Sequence, residues 1–144
     1  MSTARAQHRR QRHRRGERGE TLVEFAFASV IFFMIVFGAL EFGNAIWNYN
    51  LISDLAQEGA RYAAVHGLNS GSPVNTAAVD TYVQGRASGL LTGITVTTPN
   101  GSPSTLKSGD VVSVRVAYTI TAGGGFIPSW NIPISSTAHM IVAR

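Results

Sequence analysis

The sequence predicts an α+β protein in which a long N-terminal membrane-spanning helix packs by its outer half on a small antiparallel sheet domain. Three observations predict it: an uncharged apolar run from Phe25 to Leu40, a helical spacing of polar residues that continues beyond the run, and alternating strand patterns in the C-terminal half. With 144 residues, the chain has room for one modest domain and a membrane element.

Four segments follow from this pattern. Residues 1–19 form a basic cytoplasmic leader, and residues 20–47 form the transmembrane part of the long helix. Residues 48–67 are expected to be an amphipathic extension of the same helix, and residues 68–144 an exported small α+β domain.

The positive charge of the chain lies in the leader. Residues 1–19 hold seven arginines and one acid, a net charge of about +6, whereas residues 20–144 hold five basic and seven acidic residues, a net charge of about −2. Such a block occurs in nucleic-acid-binding tails, in solvated tails and in topology signals. Because an apolar run follows it directly, we expect a topology signal that keeps the N-terminus inside and places the domain from about residue 48 outside the cytoplasmic membrane. We expect no nucleic-acid partner.

The helical pattern continues beyond the apolar run. Polar residues recur at 50, 53, 54, 57, 58 and 61, a one-face spacing. His66 lies in the expected last turn, and Gly67 is the expected C′ residue. A helix from about Thr21 to His66 is roughly 70 Å long, more than twice the thickness of the hydrocarbon core, so its outer half is free to pack on the domain. Trp47 and Tyr49 fit an interfacial aromatic belt.

The C-terminal half predicts one helix over about 75–91 and strands over 94–98, 111–121 and 134–142. In the helix, Val79, Tyr82, Val83, Leu90 and Leu91 are expected to share one face. Gly123 to Gly125 are expected to end the second strand. The apolar segment 126–133 contains two prolines and predicts a loop, either a lid on the core or a contact surface for another subunit.

The order of leader, glycine and apolar run indicates a particular kind of processing. An ordinary secretory signal is cut after its apolar region, and no convincing small-residue site follows Leu40. Gly19 instead precedes the run, followed by four residues and then by Glu24 and Phe25. This order resembles the prepilin signal of type IV pilins, most closely in the Flp/Tad branch, and it implies cleavage between Gly19 and Glu20 by a prepilin peptidase.

Two further blocks extend the resemblance. They are Glu41, Phe42, Gly43 and, in the second block, Glu58, Gly59, Ala60, Arg61, Tyr62. Both resemble recurrent blocks of TadE-like proteins, the minor pseudopilins of Tad pilus systems. The resemblance covers about residues 16–67 and implies a pilin-like fold and a role in pilus assembly or adhesion. It also implies other pilins, pseudopilins, the pilus assembly machinery and membrane lipid as partners, and a place in the pilus or at the cell surface after assembly. Glu20 departs from the pattern, since it adds a second carboxylate beside the new amine.

Several side chains of the helix are candidate assembly residues. Glu24, with Phe25 beside it, is expected to set register by pairing with the amine of a neighbouring subunit. Alternatively, Thr21 to Glu24 fits a capping box, in which Glu24 accepts a backbone N–H at the helix start. Ala39 and Gly43 form a small-xxx-small pair that allows close helix packing. Glu41 is either solvated at the membrane interface or bound to a partner.

The sequence holds little that points to catalysis. There are no cysteines, and the four histidines show neither an i, i+4 pair nor an acidic neighbour at metal-ligand spacing. No phosphate-binding loop or nucleophile elbow is present. We therefore expect no enzyme, no cofactor and no metal. Two rival hypotheses are a signal-anchored extracytoplasmic binding domain that does not polymerise and a small membrane-tethered hydrolase.

Overall fold

The structure is a computed structural model that describes the backbone of residues 3–124 and 127–143 and the side chains of residues 19–121 and 129–143. Its elements are α1 (Thr3–Val65), α2 (Thr76–Ala87), β1 (Thr95–Thr97), a short 3₁₀ helix (Pro103–Thr105), β2 (Val111–Gly124) and β3 (Ile127–Ile141). A long apolar N-terminal helix with a three-stranded antiparallel sheet confirms the predicted α+β class.

The chain divides into two compact units, residues 1–42 and residues 43–144. In the first unit, α1 presents its large apolar side chains to the surroundings; Phe25, for example, is 69% exposed. The helix from Gly19 onward contains an 18-residue stretch of mean hydropathy 2.3, none of it buried. By length and composition this helix is able to cross a membrane, which suggests that it anchors the protein.

The second unit has a core between the helices and one face of the sheet. In its part of α1, buried residues recur every three or four positions: Ile52, Leu55, Ala56, Ala60, Ala63 and Ala64. This stripe packs with Val79 and Val83 of α2 and with Val112 and Val114 of β2. Each valine, leucine or isoleucine in this core contributes about 1.5–3 kcal/mol when it is removed from water, and each alanine contributes less. The apolar face that the spacing predicts is therefore the face that holds the helix on the sheet.

The sheet has the order β1-β2-β3, and all its pairings are antiparallel. β1 pairs only Thr95–Thr97 with 115–117 of β2. β2 and β3 pair along nearly their whole length, with a register shift between Ala122 and Gly124. Residues 118–124 of β2 and 127–134 of β3 therefore form a two-stranded ribbon beyond the end of β1.

The predicted loop over 126–133 is wrong for residues 127–133, which form the first half of β3. Pro133 lies opposite Thr119. Proline has no N–H to donate, but β3 is an edge strand, where half of the backbone groups need no partner strand. Gly123 and Gly124 likewise continue β2 instead of ending it, whereas Gly125 and Phe126 lie outside the described residues.

Helix α2 is shorter than the sequence predicts. It begins after Asn75, whose side-chain oxygen accepts a hydrogen bond from the Ala78 N–H at 2.9 Å. It ends at Ala87, and Gly89 follows with a φ of +83°. Leu91 is buried, but Leu90 is 61% exposed, so its predicted place on the apolar face is wrong.

Gly67 is a glycine for lack of space and not as a helix cap. α1 ends at Val65, so Gly67 follows the C-cap His66 at the predicted C′ position, but its φ is not positive and it does not form the left-handed cap that glycine usually forms there. A Cβ atom at this buried position would overlap the Val142 side chain and lie 3.3 Å from the Leu106 carbonyl oxygen. The close approach of these chain segments after α1 therefore requires a residue without a side chain.

Candidate functional site

The predicted cleavage and register residues lie on the exposed surface of α1. Gly19, Glu20, Glu24 and Phe25 are all exposed. Because α1 already begins at Thr3, Thr21 lies inside the helix of the intact chain, and no helix start exists there for a capping box. Among the described residues, the Glu24 carboxylate has neither a hydrogen bond nor an ion pair. The capping alternative therefore applies only to a chain that starts at Glu20.

The apolar surface of α1 contains places where another helix could approach closely. A Cβ atom added at Gly38 or Gly43 would meet nothing within 4 Å. Neither glycine is therefore needed for packing against the described residues, which leaves both positions accessible to a partner. The hydroxyl of Ser29 is the polar exception in this run, and it donates to the Phe25 carbonyl at 2.7 Å. That bond satisfies the donor within the helix itself.

The first block beyond the apolar run is also exposed. Glu41 and Phe42 lie on the surface of α1, and the Glu41 carboxylate has no hydrogen-bond or ion-pair partner among the described side chains. In the second unit, Asn48 was not singled out by the sequence. Its side chain is buried (8% exposed) and donates to Asn44 Oδ1 at 3.4 Å.

The second block serves the packing of the C-terminal domain, residues 43–144. A Cβ atom at Gly59 would lie 2.8 Å from Val83 Cγ2 and 3.1 Å from Val114 Cγ1. Glycine at this position therefore lets α1 approach α2 and β2 together. Ala60 beside it is fully buried in the same core.

Two other members of this block, Glu58 and Tyr62, connect α1 to α2. The ring of Tyr62 stacks on Tyr82 with 4.2 Å between centroids and 5° between planes. Arg86 Nη2 donates to the Tyr82 hydroxyl at 3.3 Å, and Arg86 Nε lies 3.5 Å from Glu58 Oε2. The hydrogen bond to Tyr82 and then the charge of Glu58 raise the pKa of Arg86. We name Glu58, Tyr62, Tyr82 and Arg86 the brace.

The brace was only partly visible in the sequence. Glu58 and Tyr62 were singled out as block residues, but Arg86 was not, although Tyr82 and Arg86 stand at i, i+4 spacing on one helix. His66 extends the stack, since its ring lies 4.4 Å from that of Tyr62 and its Nδ1 is 2.8 Å from the Tyr62 carbonyl oxygen. Arg61 is exposed and has no ion pair with a described side chain.

The other face of the sheet is polar. It holds a shallow cavity of about 280 Å³, lined in part by Thr95, Arg115 and Ser135. Nearby in the same sheet, Ser113 Oγ lies 2.7 Å from His139 Nδ1. Although this distance suits a nucleophile and its base, Ser113 is only 1% exposed and unable to reach a substrate. Among the described residues, no group of three histidine, aspartate or glutamate side chains is placed to hold a metal ion.

The architecture is that of an α+β protein with one helix suited to membrane anchoring. Residues 19–61 match the family of TadE-like proteins, less than a third of the chain. This match confirms the TadE-like resemblance and indicates a protein associated with a Tad pilus. It begins at Gly19 and ends at Arg61, so it contains all of the block residues except Tyr62. No curated protein and no solved structure matches the chain.

Proposed function

We propose that this protein is a minor pseudopilin of a Tad/Flp-type pilus. A prepilin peptidase removes residues 1–19, the helix over 20–47 anchors the mature chain in the cytoplasmic membrane with its domain outside, and the protein then joins pilus assembly. The observation that carries the proposal is the TadE-like match over an apolar helix whose side chains are exposed from Leu22 to Leu40 apart from partly covered Ser29 and Val36. Such a surface suits first lipid and then neighbouring helices.

The cleavage step changes the chemistry of the helix start. The Gly19–Glu20 peptide bond lies inside α1, so a peptidase has to unwind the helix locally before cutting. Glycine lowers the cost of this unwinding, because it is about 1 kcal/mol less favourable than alanine within a helix. Cleavage leaves a free amine on Glu20, which is the new positive group nearest to Glu24.

Glu24 is the proposed register element. An unpaired carboxylate at the edge of the hydrocarbon core is unfavourable, and no side chain described in α1 pairs with it. The amine of a neighbouring mature subunit is a suitable partner when the helices pack side by side. Pairing of these two groups makes one axial offset between subunits more stable than others.

The cleavage proposal is tested by the N-terminal mass of protein recovered from membranes of cells that contain the peptidase. We expect the mature chain to begin at Glu20. The Gly19→Val variant should keep its leader, whereas the matched Gly16→Ala variant should be cut normally. An intact leader on the wild-type chain in such cells would contradict the proposal.

The register proposal needs a second pair of variants. Glu24→Gln removes the charge and should be cut normally but recovered in the pilus fraction at a much lower level. Glu20→Gln keeps the amine and should be cut and incorporated normally. Normal incorporation of the Glu24→Gln variant would show that the carboxylate does not set register.

A second candidate function is a signal-anchored extracytoplasmic binding domain that does not polymerise. The cavity on the polar face of the sheet favours it, because Arg115 and several hydroxyl groups line an open surface. The same mass measurement separates the two candidates, since an anchored domain of this kind retains its leader.

A further inference from the structure

We propose that the Glu41 carboxylate binds a lysine or arginine side chain on a membrane-spanning helix of a different protein, and not a second copy of this chain. The inference deepens the proposed function by naming the chemistry of one assembly partner. It rests on that function for the placement of the helix in a membrane.

Glu41 stands close to the far end of the apolar helix. It is 17 residues after Glu24, which corresponds to about 25 Å along α1, against a hydrocarbon thickness of about 30 Å. The sequence remains apolar after it through Phe42, Ala45, Ile46 and Trp47, broken only by Gly43 and Asn44. A carboxylate at such a depth is unfavourable alone and usually faces a partner.

The structure leaves this carboxylate open to a partner. Glu41 is exposed, and no hydrogen bond or ion pair joins it to any side chain that the structure describes. Gly38, one helical turn earlier, lies on the same face, and a Cβ atom there would meet nothing within 4 Å. A second helix is therefore able to approach closely beside the carboxylate and bring a long basic side chain to it.

A second copy of this chain is a poor partner for Glu41. The sequence from Gly19 to Ala60 holds five acidic residues and no lysine, arginine or histidine. Two parallel copies in register would place Glu41 against Glu41, where like charges repel. Arg18 leaves with the proposed leader, and Arg61 is about 20 residues away, so self-pairing requires a shift of about five to six helical turns. Charge complementarity therefore favours a helix from another protein.

The proposal is tested with the full-length protein in phosphatidylcholine vesicles and a synthetic leucine-alanine membrane-spanning peptide. One form of the peptide carries a single lysine at the depth of Glu41, and the matched form carries norleucine there. Because the chain has no cysteine, Ser108→Cys provides one donor-labelling site on an exposed residue, and energy transfer to an acceptor on the peptide measures association.

We expect the lysine peptide to associate about tenfold more strongly than the norleucine peptide. The preference should be lost with Glu41→Gln and kept with Glu41→Asp, and Glu41→Lys should prefer a peptide that carries glutamate. Equal association of the wild-type protein with both peptides would overturn the proposal, and this comparison needs no variant to fold. A self-association between differently labelled copies that weakens with either Glu41→Gln or Arg61→Gln would also overturn it.

The result of the peptide experiment does not depend on whether the leader is removed in cells, so the two proposals fail separately. If the chain is cut after Gly19 in cells but shows no preference for the lysine peptide, only the inference about Glu41 is wrong. If the preference is observed but the leader is never removed, the pseudopilin proposal is wrong and the Glu41 site is retained.

Discussion

At the scale of single residues, the surroundings of three glycines beside or within α1 differ, and so does the physical reason for having glycine at each position. Gly38 has open space around it, which leaves the helix surface accessible. Gly59 lies against Val83 and Val114, and Gly67 lies against Val142 and the Leu106 carbonyl. The sequence marks all three as glycines, but only the tertiary contacts separate an accessible surface from an obligatory close approach.

Gly59→Ala is expected to destabilise the C-terminal domain by about 1 kcal/mol. The new methyl group gains helix propensity of about 0.5–1 kcal/mol, but overpacking against Val83 and Val114 costs about 1–3 kcal/mol. Chemical denaturation of the detergent-solubilised protein, followed by circular dichroism, measures the change. The matched control is Gly85→Ala in α2, where the added Cβ meets nothing within 4 Å and a small stabilisation is expected. Equal stability of the Gly59→Ala protein and the wild type would contradict the packing argument.

At the scale of elements, the brace connects two helices that are distant in sequence. The Glu58–Arg86 ion pair is well exposed and contributes little by itself. The stacked rings of Tyr62 and Tyr82 are a better-defined interaction because their geometry excludes solvent between the ring faces. The brace therefore depends more on its aromatic pair than on its charges.

A double-mutant cycle tests this assignment. Tyr62→Leu and Tyr82→Leu keep apolar surface but remove the stack, and we expect a coupling free energy of about 0.5–1.5 kcal/mol between them. Tyr49 is an exposed residue of α1 about 20 Å along the helix from Tyr62 and serves as the control, because Tyr49→Leu and Tyr82→Leu should be additive in their effects on unfolding. Additive effects of the Tyr62 and Tyr82 variants would show that the stack is not an independent stabilising interaction.

The sheet should open unevenly. Residues 115–117 of β2 pair with both β1 and β3, whereas residues 119–121 pair with β3 alone. Backbone amides that donate within the doubly paired part should exchange with solvent at least about tenfold more slowly than those in the ribbon. Hydrogen exchange followed by mass spectrometry measures the difference. Equal protection along β2 would contradict a separate ribbon.

The elements also show what a sequence pattern is able to predict. The apolar stripe of α1 and the alternation of β2 follow periodicities that depend only on local geometry, and both were predicted. The first half of β3 was missed because the cost of Pro133 depends on whether its strand is central or at an edge. The place of Arg86 in the brace was missed for a related reason: the closeness of Arg86 to Glu58 follows from how α2 packs, which no local pattern contains.

At the scale of the whole molecule, charge is divided sharply along the sequence. Seven arginines precede residue 20, whereas the remaining chain is slightly acidic. The net positive charge of the chain therefore comes from a segment that the proposed processing removes. We expect the remaining effect of this segment to be on orientation, because arginines beside an apolar helix resist transfer across the membrane.

This division predicts that the leader faces the cytoplasm and the domain faces outside. Since the chain has no cysteine, Ser2→Cys and Ser108→Cys each provide one labelling site, on opposite sides of the apolar helix in the sequence. In spheroplasts of cells without the peptidase, a membrane-impermeant maleimide should label Ser108→Cys at once and Ser2→Cys only after permeabilisation. Replacing the seven leader arginines with glutamine should weaken this asymmetry, because the charge that fixes the orientation is removed. Labelling of Ser2→Cys in intact spheroplasts would show that the leader is exported and would contradict the orientation.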